Sequence, residues 1–247
     1  GRGGSDYLSG RSGDDVIHGG EGFDHISGGR GRDQLYGGDD RDILEGGRDA
    51  DHIDGGHGDQ DAATYASSDG AVNVSLERGT GVGGHAQGDT LVNIEYLVGS
   101  DYDDILTGDK GANLIAGGAG GDTINGGQGD DYFIGGQVLF AQATESRSVA
   151  SDGAADIFVF ENDRRRGPDL EHGDDTISDF EVGIDKIDLS RTAVDDWDDI
   201  DDDRGNYGMY QDGDDTVIYT LNGRESDTIR LVGIDVDDVS ESDFIFS

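Results

Sequence analysis

Gly19-Gly20-Glu21-Gly22-Phe23-Asp24-His25-Ile26-Ser27 is followed at once by Gly28-Gly29-Arg30-Gly31-Arg32-Asp33-Gln34-Leu35-Tyr36. This is one nine-residue phrase written twice. Glycine stands at places one, two and four, aspartate at place six, and a branched apolar residue (Ile26, Leu35) at place eight. Six residues of turn chemistry alternate with three residues of strand. One apolar side chain per nine residues buries almost nothing by itself, so such a unit must stack on copies of itself. The repeat therefore decides the fold.

Outward from that doublet the phrase runs in register from Gly1. Place six holds Asp6, Asp15, Asp24, Asp33, Asp42 and Asp51, and place eight holds Leu8, Ile17, Ile26, Leu35, Leu44 and Ile53. A seventh copy from Gly55 breaks: Gln60 takes the sixth place, with Asp61 one step late. Place seven is mixed, as expected of a strand residue facing away from the core. From Ala62 to Val98 the pattern loosens into longer coils, with Val72, Val74 and Leu76 alternating against Asn73 and Ser75. The phrase restarts at Gly99, with Asp104, Asn113, Asp122 and Asp131 at place six and Leu106, Ile115, Ile124 and Phe133 at place eight. Residues 138–172 read as an interrupted coil carrying two loops, the second with Arg164-Arg165-Arg166 and Pro168 as a solvated tip. Residues 173–247 change to period-two strands, with Asp212-Gly213 and Asn222-Gly223 as hairpin turns. The acidic run from Asp195 to Asp203 reads as a short helix or loop. Five segments result: 1–63, 64–98, 99–137, 138–172 and a capping segment, 173–247, as a repeat array requires at its end.

Composition bounds the function. The 247 residues carry a formal net charge of −39, 45 glycines and 32% hydrophobic residues. That balance would normally leave a chain disordered, but one proline and the fixed register of glycine and aspartate argue otherwise. A polyanion repels nucleic acid, and the charge points to multivalent cations. There is no cysteine for a disulfide framework, and no apolar run approaches the roughly 20 residues of a membrane span. The chain opens inside a repeat, without an initiator methionine or signal peptide, and reads as a fragment or processed piece.

A hard cation such as Ca²⁺ takes about six to eight oxygens from carboxylates and carbonyls, and the nonamer offers both. Its glycines at places two and four (Gly20, Gly22, Gly29, Gly31, Gly38, Gly47, Gly118, Gly120, Gly127, Gly129) permit left-handed backbone, so that successive carbonyls can turn toward one point. Two nonamers make one coil, so neighbours on one side are copies n and n+2. The expected pairs are Asp6 with Asp24, Asp24 with Asp42, Asp15 with Asp33, Asp33 with Asp51, Asp104 with Asp122, and Asn113 with Asp131. About six to nine ions are expected, and the six pairs alone would bring the charge to about −27. Arg2, Arg11 and Asp109 replace glycine at place two, and Asp40, Asp49 and Tyr102 replace it at place four. Weak or absent ions are expected beside Gln60 and around Tyr102, because tyrosine adopts left-handed angles poorly.

The repeat resembles the glycine-rich nonapeptide of the RTX (repeats-in-toxin) family. The resemblance implies an all-β fold: a right-handed parallel β-roll, or β-solenoid, capped by a C-terminal β-rich segment. Asp175-Thr176-Ile177-Ser178-Asp179-Phe180 and Asp185-Lys186-Ile187-Asp188-Leu189 are similar to the C-terminal region of serralysin-type proteases and alginate epimerases. Asp243-Phe244-Ile245-Phe246 is similar to the terminus that such proteins present to type I secretion machinery. The resemblance thus implies export from a Gram-negative cell and an upstream effector domain on the same polypeptide.

Catalytic motifs do not compete. The chain has no His-Glu-x-x-His helix and no Gly-x-Ser-x-Gly elbow. Gly79-Thr80-Gly81-Val82-Gly83-Gly84 lacks the βαβ setting of a dinucleotide loop. Asp199-Asp201-Asp203 lacks the glycine and glutamate of an EF-hand. The expectation is a non-catalytic module that folds on calcium. The alternative is a calcium-dependent binder of polysaccharide or cell surface through outward residues such as Tyr7, His25, Gln34 and Tyr36.

Overall fold

The computed structural model describes residues 1–58, 60–139, 148–150, 152–161, 173–192, 197, 200, 207–222 and 225–246. The chain winds between two facing sheets, one strand to each in turn. The first block supplies β1 (Tyr7–Ser12), β2 (Val16–Glu21), β3 (His25–Arg30), β4 (Gln34–Asp39), β5 (Ile43–Arg48) and β6 (His52–His57). Strand β1 pairs parallel with β3 and β3 with β5, while β2 pairs with β4 and β4 with β6. The registers are Leu8↔Ile26↔Leu44 and Ile17↔Leu35↔Ile53. Each step is 18 residues, so one coil is two nonamers.

The middle supplies β7 (Ala62–Thr64), β8 (Asn73–Ser75), β9 (Thr80–Val82), β10 (Thr90–Val92), β11 (Tyr96–Val98) and β12 (Ile105–Thr107). Here the winding changes. Strands β8 and β9 pair antiparallel, as do β9 and β10, so a meander sits inside an otherwise parallel sheet. Parallel winding resumes through β13 (Leu114–Ala116), β14 (Thr123–Asn125) and β15 (Tyr132–Ile134). The interruption expected after Gly136 contains a small antiparallel hairpin, β16 (Gln137–Leu139) with β17 (Ser148–Ala150). Then follow β18 (Ile157–Glu161), β19 (Asp174–Ile177) and β20 (Lys186–Arg191), all parallel to the coil before.

The end is a hairpin stack. Strands β21 (Tyr207–Asp212), β22 (Asp215–Asn222) and β23 (Glu225–Leu231) pair antiparallel, and β24 (Phe244–Ile245) closes the opposite sheet. Arg164–Arg166, Pro168 and most of the acidic run around Trp197 lie outside the described residues.

Place-eight residues from both sheets meet as one thin core: Ile26, Leu35, Leu44, Ile53, Leu97, Leu106, Ile115 and Ile124 are all buried. The core thickens toward the end, where Phe133, Phe158, Phe160 and Phe180 pack ring against ring. Outward place seven is exposed at Tyr7 (64%) and Val16 (59%), as its position dictates, but Ile43 is buried. The loop after β7 is tied to the same strand. Arg48 Nη2 lies 2.5 Å from Asp69 Oδ2, and the Ser67 hydroxyl meets Glu45.

Candidate metal centres

Each place-six aspartate closes a turn and opens a strand, so coil stacking lines the aspartates up. Their Oδ1 atoms accept the backbone N–H of the aspartate one coil before. Asp24 accepts from Asp6, Asp33 from Asp15, Asp42 from Asp24 and Asp51 from Asp33, each at 2.8 Å. Asp122 accepts from Asp104 and Asp131 from Asn113, also at 2.8 Å. All six expected pairs are brought together. The ten glycines named for the sites all adopt left-handed φ, between 98° and 130°. At Gly38 a Cβ would collide with the Gly20 carbonyl of the coil below, so glycine is required there for contact as well as conformation.

The second carboxylate oxygen tests whether a cation fits. Oδ2 of Asp15, Asp24, Asp33, Asp42, Asp51, Asp122 and Asp131 is buried without a hydrogen-bond partner among the described residues. Each such atom is costly unless something pairs with it. A Cβ on Gly10 would lie 2.6 Å from Asp15 Oδ2 and 2.8 Å from the Gly28 carbonyl oxygen, and Gly19, Gly28, Gly37 and Gly117 repeat the arrangement. A carboxylate oxygen and the next coil's carbonyl oxygen thus face the same small space. The donors are all oxygen, as a hard cation requires. Among the described residues no three His, Asp or Glu side chains converge on a point. The donor set is shared instead between carboxylates and main-chain carbonyls.

Electrostatics agree with that fit. Burial is the largest cause raising the carboxyls of Asp33, Asp42, Asp51, Asp122 and Asp131. The N–H from the coil below opposes it, and like charges above and below add to it. Asp42 and Asp51 are pushed up to about 7, Asp131 to about 8 and Asp122 to about 9, and Asp33 is raised as well. A raised carboxyl of this kind favours a bound proton or a neighbouring cation.

The ladder runs further than the nonamer spacing. Asp61 accepts the Asp42 N–H at 2.7 Å, so the extra residue after Gly55 is absorbed in the turn and Asp61 holds the place expected to be weak at Gln60. Asp89 accepts from Asp51 and Asp156 from Asp122 at 2.8 Å, Asp175 from Asp131 and Asp185 from Asp156 at 3.0 Å. Period-nine counting misses these five, yet their local phrase is that of Asp24-His25-Ile26. Asp61-Ala62-Ala63, Asp89-Thr90-Leu91, Asp156-Ile157-Phe158, Asp175-Thr176-Ile177 and Asp185-Lys186-Ile187 each place aspartate two residues before a core side chain.

Some places are closed by the protein itself. Ser100 donates its N–H to Asp104 Oδ2 (2.5 Å) and its hydroxyl to Oδ1 (2.9 Å), and Val72 N–H adds a third bond at 2.7 Å. Tyr102, just beyond Ser100, stays out of the left-handed region, whereas Arg11, Asp40 and Asp49 enter it. Asn113 Oδ1 accepts the Asp109 N–H at 2.8 Å, and its Nδ2 donates to the Glu95 carbonyl at 3.3 Å. The Tyr65 hydroxyl donates to Asp89 Oδ2 at 3.1 Å.

Comparison with known proteins gives three results. Residues 1–35, 36–59, 93–123 and 107–137 match the model of the RTX calcium-binding nonapeptide repeat, in four copies. No curated protein matches the chain. Among solved structures, the AlgE6R2 and AlgE6R3 subunits of the Azotobacter vinelandii mannuronan C5-epimerase are 23% and 24% identical. They cover 60% of this chain each, and 91% and 80% of their own, with TM-scores of 0.37 and 0.34. The extracellular lipase LipA from Serratia marcescens is 17% identical over 99% of this chain and 38% of its own, with a TM-score of 0.34.

Proposed function

We propose that this chain, whose residues 1–59 and 93–137 match the RTX calcium-binding nonapeptide repeat, is a non-catalytic module of an exported protein, folding as it takes up calcium outside the cell. One observation carries the reading: stacked, buried aspartates whose Oδ2 atoms face main-chain carbonyls with no donor between them. Oδ2 of Asp15, Asp24, Asp33, Asp42, Asp51, Asp122 and Asp131 would hold the ions, joined at Asp15, Asp24, Asp33, Asp42 and Asp122 by the turn carbonyl that faces it. Calcium bound there supplies the positive charge that a column of buried carboxylates lacks and ties successive turns together.

The carboxylates make folding conditional. At low cytosolic calcium they repel along each column, and a net charge of −39 keeps the chain extended and exportable. At extracellular calcium, sites of roughly 10⁻⁴–10⁻³ M affinity fill, and burial of the place-eight residues follows. The module would then support type I secretion and stabilise an upstream effector domain. Circular dichroism in calcium and in chelator at neutral pH tests the proposal. Strand signal should appear with calcium, and an identical spectrum in chelator would defeat it.

A second reading, a surface for polysaccharide or for a cell, is favoured by one observation. Rings stack across coils on the outer faces: Tyr7 on His25 at 5.5 Å, His18 on Tyr36 at 4.7 Å, and His52 edge-on to Tyr36 at 5.7 Å. Glycan pull-down with calcium present, comparing the native chain with Tyr36→Ala, separates the two. Binding lost in the variant supports this surface, and no binding by either leaves the first reading alone.

A further inference from the structure

The carboxylate oxygens named above as lacking a hydrogen-bond partner among the described residues fall into two groups along the solenoid. Asp15, Asp24, Asp33, Asp42 and Asp51 form one, and Asp122 and Asp131 the other. Between them, three ladder places have both side-chain oxygens, or an oxygen and an amide, engaged by the protein. Asp89 Oδ1 takes the Asp51 N–H at 2.8 Å and Oδ2 the Tyr65 hydroxyl at 3.1 Å. Asp104 takes the N–H and hydroxyl of Ser100 and the N–H of Val72. Asn113 replaces a charge with an amide that both accepts and donates. In the coils on either side, no donor among the described residues faces Oδ2 of the aspartates named above. Here the protein provides it.

Two further features set this stretch apart. Tyr65, Val72, Val74, Ala86, Leu91, Ile94, Leu97 and Leu106 are all buried within it, whereas the coil from Gly19 to Tyr36 buries only Ile26 and Leu35 at its centre. Part of its strand pairing is also internal. Strands β8, β9 and β10 form an antiparallel meander of near neighbours in sequence, and β12 pairs with β8, while β10 and β11 extend the pairing to β6, β7 and β13. The Tyr65 N–H bonds Val98 O at 2.9 Å, and the Leu76 N–H bonds Thr107 O at 2.8 Å. Local antiparallel pairing forms with less loop closure than the 18-residue parallel step.

We propose that residues 64–113 form an internal folding unit that needs no calcium, from which two calcium-dependent blocks, 1–58 and 114–137, wind outward in opposite directions. The inference rests on the calcium reading of the flanking blocks. It assigns Tyr65 and Ser100 the part of built-in substitutes for a cation, and it divides the first 137 residues into three cooperative units rather than one. The same closure bounds the second block at its far end, where Asp179 accepts the N–H groups of Gly135 and Gly136 at 2.8 and 2.9 Å.

Hydrogen exchange on the full chain, read by mass spectrometry in chelator and in millimolar calcium, tests it. In chelator, peptides covering 72–76, 89–98 and 104–107 should exchange on the order of 100-fold more slowly than peptides covering 25–53 and 122–125, and calcium should protect all of them. If the middle exchanges as fast as the blocks in chelator while calcium protects everything, the inference falls and the calcium reading stands. Should the blocks already be protected in chelator, the calcium reading falls and takes the inference with it. Tyr65→Phe keeps the ring and removes the donor. It should speed exchange of the middle in chelator by about 10- to 100-fold, the worth of a buried hydrogen bond to a charged group. Unchanged protection would show that the hydroxyl does not hold this unit closed.

Discussion

Asp122→Asn should change the sign of its effect with calcium. The Asp122 side chain is fully buried, and its Oδ1 accepts the Asp104 N–H at 2.8 Å. Its Oδ2 has no hydrogen-bond partner among the described residues, and burial, with the charges of Asp156, Asp104 and Asp152, pushes its carboxyl up to about 9. Without metal, the folded chain takes up a proton at Asp122 that the unfolded chain, with its ordinary value of 3.8, does not hold. The penalty is absent below pH 4 and grows with each unit above it, reaching about 3 kcal/mol at pH 6. Asparagine keeps the acceptor for the Asp104 N–H and titrates nothing. Its amide would stand beside the Gly135 carbonyl, as the Asn113 amide stands beside that of Glu95. In chelator near pH 6 the variant should therefore unfold at higher urea, by on the order of 2–3 kcal/mol. In calcium the order reverses, because the steps toward Asp104 and toward Asp156 each lose a carboxylate, and the calcium concentration at half-folding should rise. Urea titrations followed by circular dichroism under both conditions make the comparison. Destabilisation of equal size in chelator and in calcium would refute the reasoning and make Asp122 a plain structural acceptor.

Other perturbations follow from the same geometry. Asp24→Ala should remove the ions toward Asp6 and toward Asp42 while leaving the Asp15–Asp33 side filled; isothermal calcium titration showing an undiminished ion count would contradict the stacking. The native chain in chelator should lose strand signal as pH rises from about 4 to about 9, because Asp42, Asp51 and Asp156 (about 7), Asp131 (about 8) and Asp122 (about 9) all carry raised values. The folded state binds more protons than the unfolded state across that window, so stability falls with pH. Saturating calcium should remove this loss, and an alkaline-stable metal-free fold would count against it. Gly29→Ala places a Cβ against the Arg11 backbone at a φ of +113°, a strain of about 2 kcal/mol or more even with calcium bound. Thermal melting should show a loss of several degrees, and an unchanged melting temperature would mean that the turn relaxes freely.

Much of this was legible in the order of residues. Place eight of each nonamer became core and place six became the ladder, because an 18-residue coil returns each to the same spot one strand higher. What period-nine reading missed lies where spacing fails but local chemistry persists. Asp61 shows this most plainly: one extra residue breaks the count after Gly55, yet the turn swallows it and the carboxylate still meets the Asp42 N–H. Ile43 shows a second kind of miss, an outward position that is buried on a strand to which a loop is tied from more than twenty residues later.

By itself, then, the sequence determined the repeat, its period, the apolar and acidic columns and the need for a cation, since each follows from residue type and spacing along one chain. The tertiary structure decided which carboxylates lack a partner. Asp51 and Asp89 open strands in the same manner, but only Asp89 has the Tyr65 hydroxyl against its second oxygen. Asp104 and Asp122 occupy the same place of the nonamer, but only Asp104 has a serine turned onto it. Hydrogen-bond satisfaction is a property of what stands within about 3 Å in space, and contacts across 4 or 24 residues cannot be read from a column of aspartates.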